Sequence, residues 1–565
     1  MKKILLNYNV VFTIIFLLIY YPFIIDGQFV KDDWFLYQIN KLSFKNASHS
    51  LLDSFSNRPF AVLFYLILSR FSGEFLFYFT INFLLMFSSY KILVNTLSAF
   101  LQNNRDHIIF IYFFLLPGFS TTVLFSTGMQ LIGNLSLLLW ALSLHFQLKY
   151  FSKNNIKYLI FFVASIALIF LTYESILPLI GISLAFIFFY KPVKDKINKF
   201  YIIFFCIITT SLIIIFIQKF VIANFLDDIS RLRVNPKDFY FFIKILIANV
   251  MLLINSFFNL FILLMQFIKN KSYDLSFIMH ISILIFIYIN LIKKKEPNLK
   301  TKIEITNVKY LIIGFFVTLF FVALMHTLAN TGVRVFGYNN RGLIAISYGL
   351  PIFFLLIKKS TIKHKKILKI FENFFLINFL ILILLTQYSY IEFIKFIDKT
   401  TINIVNNEKF NEKENFVIYF DDDFSEEKPL VKYLTPINNT LQFGIKLNSI
   451  SKNNIDGLYL NSNIICNSSY FSIYINPTIL NNLQNDKSIF LIVKKNNFIS
   501  RYHLKNNELT KKLHSMKNCP LNISKSHEFI KSFAKEKNLY DYKILEYETI
   551  FVNFLIYIYK NYFYK

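Results

Sequence analysis

Cysteine is nearly absent from this chain, with three among 565 residues, so neither a cysteine-rich metal centre nor a small disulfide-stapled fold suits it. Histidine supplies no ligand-spaced cluster either, which leaves no assignable metal site; a divalent ion held by carboxylate oxygens stays open. No small-residue cleavage site follows the apolar run that starts behind Met1-Lys2-Lys3 and reaches about residue 25. That run therefore reads as an uncleaved first span rather than a signal peptide. Acidic residues are outnumbered, 33 Asp and Glu against 60 Lys and Arg, for a formal charge of +27. Arginine, alanine and glycine are sparse beside lysine, asparagine, isoleucine and phenylalanine, as expected of an AT-rich bacterial genome.

What the chain does have is apolar length. Over the first 390 residues Phe, Ile, Leu and Tyr form blocks of about fifteen to twenty-five, separated by short Lys, Asn and Asp clusters. A bilayer core needs about 20 apolar residues per helix, so the pattern is that of many spanning helices. A soluble chain of this length shows shorter amphipathic segments instead. The positive charge is informative by position. Lys149, Lys153 and Lys157, then Lys191, Lys194, Lys196 and Lys199, then 293–302 and 358–369, mark the loops expected to face the cytoplasm. Nucleic acid does not explain such a distribution.

Threading by charge gives a multi-pass protein of the bacterial inner (cytoplasmic) membrane. Span one (about 8–25) opens a large outer loop, 26–73, in which 59–70 is too short to cross and is expected to lie along the interface. Spans at 74–98, 107–118 and 123–148 follow, and their parity places Lys149 to Lys157 inside. Residues 158–190 are expected to fold as a hairpin with Glu174 at its outer tip. A span at 200–222 opens a loop carrying Asp227, Asp228, Arg231, Arg233 and Asp238. Between 239 and 292 an odd number of crossings is required, either one with a re-entrant piece or three. Spans at 309–329, 343–357 and 370–388 complete a total of eleven to thirteen.

From about 390 the composition turns to Asn, Lys, Glu and Asp, and short alternating runs appear at 416–420, 457–460, 470–475 and 488–493. These read as strands, and 527–537 as a helix, so residues 391–565 are expected to form a soluble extracytoplasmic α/β or α+β domain behind the membrane domain 1–390. Outside the cytoplasm Cys466 and Cys519 are available to pair; two buried free thiols is the alternative.

The polar residues that stand out gather in the outer loops: Asp32 and Asp33, Glu174, the 224–238 loop, and Arg334 with Arg341. An ionisable group at the membrane boundary is costly unless it lines a cavity or finds a partner. One span, an outer loop opening on Lys31-Asp32-Asp33-Trp34, and Asn57-Arg58-Pro59 leading an amphipathic segment that closes at Phe71-Ser72-Gly73 together resemble the GT-C class of membrane glycosyltransferases. The Thr172-Tyr173-Glu174-Ser175 tip and the final outer domain are similar to bacterial members acting on surface polysaccharides such as O-antigen.

The resemblance implies an inverting transfer of a sugar from a polyprenyl-phosphate donor to a glycan or lipid acceptor, with membrane lipids but no nucleic acid as further partners. It casts Asp33, or Asp32, as general base, with Asp33 preferred because it directly precedes Trp34. The arginines Arg334 and Arg341, then Arg231 and Arg233, and Arg58 on the first loop, are the expected phosphate ligands, since guanidinium matches phosphate geometry bidentately. Many relatives carry a second acid after the third span, whereas 118–130 has none, which leaves Glu174 to supply it. A polysaccharide polymerase or ligase, and a transporter or flippase, are the other readings of such a chain. A transporter predicts charged residues within the spans near the midplane and internally repeated halves, and the sequence shows neither clearly.

Overall fold

The computed structural model describes residues 7–29, 33–55, 58–98, 100–101, 104–116, 127–189, 195–217, 275–293, 308–328, 343–360 and 365–407, single positions between 242 and 254, and four strands. Among these residues four helices are long and apolar enough to cross a membrane: Phe75–Leu97, Gln130–Lys153, Lys196–Phe216 and Lys369–Tyr388. Shorter apolar helices accompany them.

In chain order the helices are α1 Tyr8–Ile19, α2 Tyr21–Asp26, α3 Trp34–Lys41, α4 Phe44–Phe55, α5 Pro59–Ser69, α6 Phe75–Leu97, α7 Asn104–Leu115 and α8 Thr127–Lys153. Then come α9 Ile156–Thr172, a 3-10 turn at Glu174–Leu179, α10 Ile180–Phe189 and α11 Lys196–Phe216. The last four are α12 Leu275–Lys293, α13 Val308–Leu328, α14 Ile344–Ser360 and α15 Lys365–Asn407. The apolar run expected as one first span is broken at Tyr20, and Pro22 lies in the first turn of the following α2, where its missing N–H costs nothing. Asparagines punctuate the helices. Asn7 caps α1 by accepting from the Asn9 N–H, and Asn155 caps α9 by accepting from Lys157.

Side-chain contacts fix which way each helix runs. Asn134 donates to Asn82 at 3.0 Å and Thr96 meets His145 at 3.1 Å, so α6 and α8 are parallel. Tyr8 stacks on His107 while Tyr20 donates to the Leu115 carbonyl at 2.9 Å, so α1 and α7 are parallel too. Lys91 near the end of α6 donates to Asn9 at the start of α1 (2.7 Å), which sets these two pairs in opposite senses. Lys196 reaches the Phe188 carbonyl (2.8 Å) and Lys199 the Phe151 carbonyl (3.1 Å). The start of α11 thus meets the ends of α8 and α10, and the intervening α9–α10 unit is a hairpin with Glu174 at the far tip.

Between α10 and α13 the backbones nearly touch. A Cβ added to Gly314 would stand 2.4 Å from the Ala185 Cβ and 2.9 Å from the Gly181 carbonyl oxygen, and one on Gly181 would stand 2.8 Å from Thr318. The chain has packed small residues at four-residue spacing against each other, 181 and 185 against 314 and 318. In lipid this matters more than apolarity, because lipid tails compete for any large apolar side chain and close backbone approach supplies the packing. Phe188 stacks on Tyr310 at 5.0 Å along the same contact, so the two helices are antiparallel.

Helix α15 is the longest, 43 residues, or about 65 Å at 1.5 Å per residue, roughly twice a hydrocarbon core. The boundary drawn at 390 from composition falls within it. Beyond it, β1 Phe416–Phe420, β2 Gly457–Asn461, β3 Ser488–Val493 and β4 Ile499–Leu504 form one sheet in the order β2-β1-β3-β4. β1 pairs in parallel with β2 and β3, and β3 pairs antiparallel with β4. With parallel neighbours on both sides of β1 and an antiparallel β4 at the edge, the sheet is mixed rather than a meander. β4 was not marked by the sequence pattern, since Ser500, Arg501 and His503 break its apolar alternation. The runs at 470–475 and 527–537 lie outside the described residues, as do Cys466 and Cys519.

Candidate functional site

The end of the molecule opposite the lysine-bearing corner is built by three short helices of the 26–73 stretch. α3 and α5 meet at their C-terminal ends: Asn40 donates to the Ser69 carbonyl at 2.5 Å, and Arg70 donates to the carbonyls of Leu42 (2.9 Å) and Ile39 (3.3 Å). Arg70 therefore satisfies the Leu42 carbonyl and joins the Leu42 N–H on that of Ile39, and its charge complements that end of the helix dipole. A Cβ on Gly73 would press on the Asn40 side chain at 2.9 to 3.2 Å, which is why the segment closes on glycine.

Asp33 stands at the N-cap position of α3 and is fully buried. Asp32, and the arginines Arg231, Arg233, Arg334 and Arg341, lie outside the described residues.

The structure brings together two candidates that are 116 residues apart. Arg58, the residue before α5, forms a two-pronged ion pair with Glu174 at the α9–α10 tip, Nε to Oε2 at 3.0 Å and Nη2 to Oε1 at 2.5 Å. The guanidinium also lies over the Tyr173 ring, 4.9 Å from its centroid. Burial alone pulls the guanidinium's pKa down; the Glu174 charge and hydrogen bond more than reverse this, so the guanidinium stays charged. Glu174 is thus a half-exposed tip with a partner of its own. It ties the first loop to the hairpin, and its backbone site is fixed by the break at Tyr173, an extended residue between α9 and the 3-10 turn.

With side-chain exposures of 17 % and 35 %, the pair falls between the exposed class, worth about 0–1 kcal/mol, and the buried class, where removing one partner costs about 3–5 kcal/mol. Arg58→Ala is accordingly expected to destabilise the full chain by about 1–3 kcal/mol, with Arg58→Lys recovering part of that. Thermal unfolding in detergent measures it; an unchanged midpoint for Arg58→Ala would mean the pair is ornamental.

Sequence reasoning missed the contribution of α15. Past the span expected at 370–388 it continues to the 26–28 segment, where Lys395 pairs with Asp26 (2.8 Å) and Gln28 donates to Asp398 (2.9 Å). The signal was present as buried Tyr390, Ile391 and Ile394 at helical spacing, hidden by the charged residues between them.

Near the opposite end, Asp106 of α7 and Glu372 of α15 are both buried and line a cavity of about 20 Å³ with Pro351 and Phe354 of α14. That volume holds about one water. Glu372 acts electrostatically on Tyr288, whose hydroxyl donates to Asn373 at 2.9 Å. Among the described residues no group of three or more His, Cys, Asp or Glu side chains is placed to hold a metal ion.

No protein-family model matches the chain, and no curated protein matches it.

Proposed function

We propose that this chain is an inverting membrane glycosyltransferase of the GT-C type, moving a sugar from a polyprenyl-phosphate donor to a surface glycan or lipid. Its eleven to thirteen spans lie in the bacterial inner membrane with the lysine corner facing the cytoplasm. The observation that supports this best is the Arg58–Glu174 pair. It joins the acid-opened first loop to the hairpin tip, so that a carboxylate-bearing helix start and a phosphate-matching cation belong to one helical cluster away from the lysines.

In this reading the acceptor hydroxyl attacks the anomeric carbon as the Asp33 carboxylate takes its proton. The bond from that carbon to the phosphate oxygen breaks, the configuration inverts, and polyprenyl phosphate leaves with its charge met by guanidinium groups. Asp33 is fully buried, so acceptor entry displaces the start of α3. Arg58 serves the phosphate by exchanging Glu174's two oxygens for two phosphate oxygens of like geometry.

A second reading, a transporter, draws on the buried Asp106 and Glu372, because ionisable groups within apolar helices are costly and mark pathways in such proteins. One experiment separates the two. The full chain, reconstituted in vesicles with a labelled polyprenyl-phosphate sugar and total surface glycan, is expected to give labelled glycan and free polyprenyl phosphate. Donor crossing the bilayer with no labelled glycan would favour the transporter; neither product would defeat both.

A further inference from the structure

The corner where α8 turns into α9 has a chemistry that sugar transfer does not use. Asn154 takes a left-handed conformation (φ 50°) and Asn155 caps the next helix, so the chain reverses in two residues. The reversal carries Lys153 before it and Lys157 after it, both exposed, with half-buried Lys149 one turn before Lys153. Lys199 arrives from α11, donating to the Phe151 carbonyl and lying 5.8 Å from the Tyr150 ring centroid. Lys153 lies 5.8 Å from the Tyr158 ring centroid. Lys196 reaches the end of α10 in the same way.

From 149 to 199 the sequence holds seven lysines and two acids, Asp195 and Glu174, and Glu174 is at the opposite end, bonded to Arg58. Two of the lysines, Lys196 and Lys199, spend their protons on C-terminal carbonyls. Lys153 and Lys157 are left presenting their charge outward beside tyrosines, whose amphipathic rings favour the membrane interface.

The apolar surface beside this corner selects the kind of partner. Ile156, Ile160 and Phe161 of α9 are 52 to 61 % exposed, and Ile197, Tyr201 and Phe205 of α11 are 63 to 67 % exposed. α9 and α11 are neighbours and both start at this corner, so exposed apolar side chains of the first turns of each adjoin the lysines. A free phosphate or a nucleic acid matches the charge and leaves that surface uncovered. A molecule with an anionic head and long apolar tails covers both.

We infer that the α8–α9 corner, with Lys153 and Lys157 and the adjoining faces of α9 and α11, is a binding site for an anionic phospholipid headgroup of the surrounding leaflet. The inference rests on the membrane placement proposed above and not on the transferase chemistry. Basic clusters at the cytoplasmic ends of spans attract anionic lipid by an amount that corresponds to about a fivefold change in affinity for each lysine.

The test uses the full chain in a neutral detergent, with phosphatidylglycerol, phosphatidylcholine or inorganic phosphate added, and bound lipid counted by native mass spectrometry. The wild type is expected to retain phosphatidylglycerol over phosphatidylcholine. Lys153→Gln with Lys157→Gln is expected to lower that preference about twenty-five-fold. Lys41→Gln, an exposed lysine of α3 at the other end, is expected to leave it unchanged. Both target lysines are exposed, so the double variant should unfold at the wild-type temperature without lipid; phosphatidylglycerol should raise that temperature for the wild type and not for the variant. Equal retention by wild type and double variant, equal loss in Lys41→Gln, or full competition by inorganic phosphate would each overturn the site. A chain that stays soluble without detergent would instead overturn the membrane placement.

Discussion

Asp33→Asn is expected to lower sugar transfer by about a hundred- to ten-thousand-fold while leaving the protein folded and inserted. The size follows from the role proposed for it. An acceptor hydroxyl is a poor nucleophile unless its proton is removed as the new bond forms, and an amide in place of the carboxylate accepts no proton at that moment. The specificity of the test follows from the position. Asp33 immediately precedes α3, makes no side-chain bond to the helix's first N–H groups and is fully buried, and asparagine keeps its size there, so the packing at the helix start is preserved. Alanine would leave a space in that packing and confuse loss of chemistry with loss of structure. The measurement is transfer in reconstituted vesicles beside the unfolding temperature of the same preparation. Near-normal transfer by a folded Asp33→Asn protein would remove Asp33 from the role of base, and the same result with the Asp32→Asn and Asp33→Asn pair would remove the first loop's acids altogether.

Gly314→Ala is expected to destabilise the helical domain by about 1–3 kcal/mol, although alanine is the better helix former by about 1 kcal/mol. The sign is decided by space. The added Cβ meets the Ala185 Cβ at 2.4 Å and the Gly181 carbonyl at 2.9 Å, and neither atom is the movable end of a flexible side chain. α10 and α13 must therefore separate, which loosens the Phe188 and Tyr310 stack along the same contact. Ala185→Gly in the Gly314→Ala background removes the shorter clash but not the one to backbone, so partial recovery is expected. Thermal unfolding of the two variants and the wild type in one detergent measures both effects. Equal stability of Gly314→Ala and wild type would mean that these helices are not in close contact; full recovery in the double variant would mean that the backbone clash is absorbed elsewhere.

The strands at 416–420, 457–461 and 488–493 stand where short apolar runs bounded by polar clusters mark them, because a run of five or six β-branched, aromatic and aliphatic residues is a local signal for a strand. Helix α6 covers nearly the 74–98 run for the related reason that about 20 apolar residues in lipid must satisfy their backbone as a helix. The first span was harder. Tyr20 divides it, and a run of apolar side chains gives no sign of where its backbone changes direction. α15 was harder still, because a helix that leaves the apolar window carries charge and reads as a new segment although its buried face, Tyr390, Ile391 and Ile394, continues.

The candidate site shows the same division. Asp33, Arg58 and Glu174 were each recognisable from the sequence, as charged residues at the edges of apolar runs. Their relation was not. Arg58 and Glu174 are 116 residues apart, and either one alone is consistent with solvent, with a headgroup or with a ligand. Burial of Asp106 and Glu372 was equally hidden, since each sits near the start of its helix, where a charge ordinarily faces water.

By itself the sequence determined that this chain is made of long apolar helices with lysine gathered at particular loops, because hydropathy and charge are properties of each segment alone. Tertiary structure decided which residues answer one another: that Glu174 is Arg58's partner, that α10 and α13 close on small residues, and that lysines from α8, α9 and α11 share one corner. Those outcomes depend on distances between segments far apart in the chain, and no local pattern encodes them.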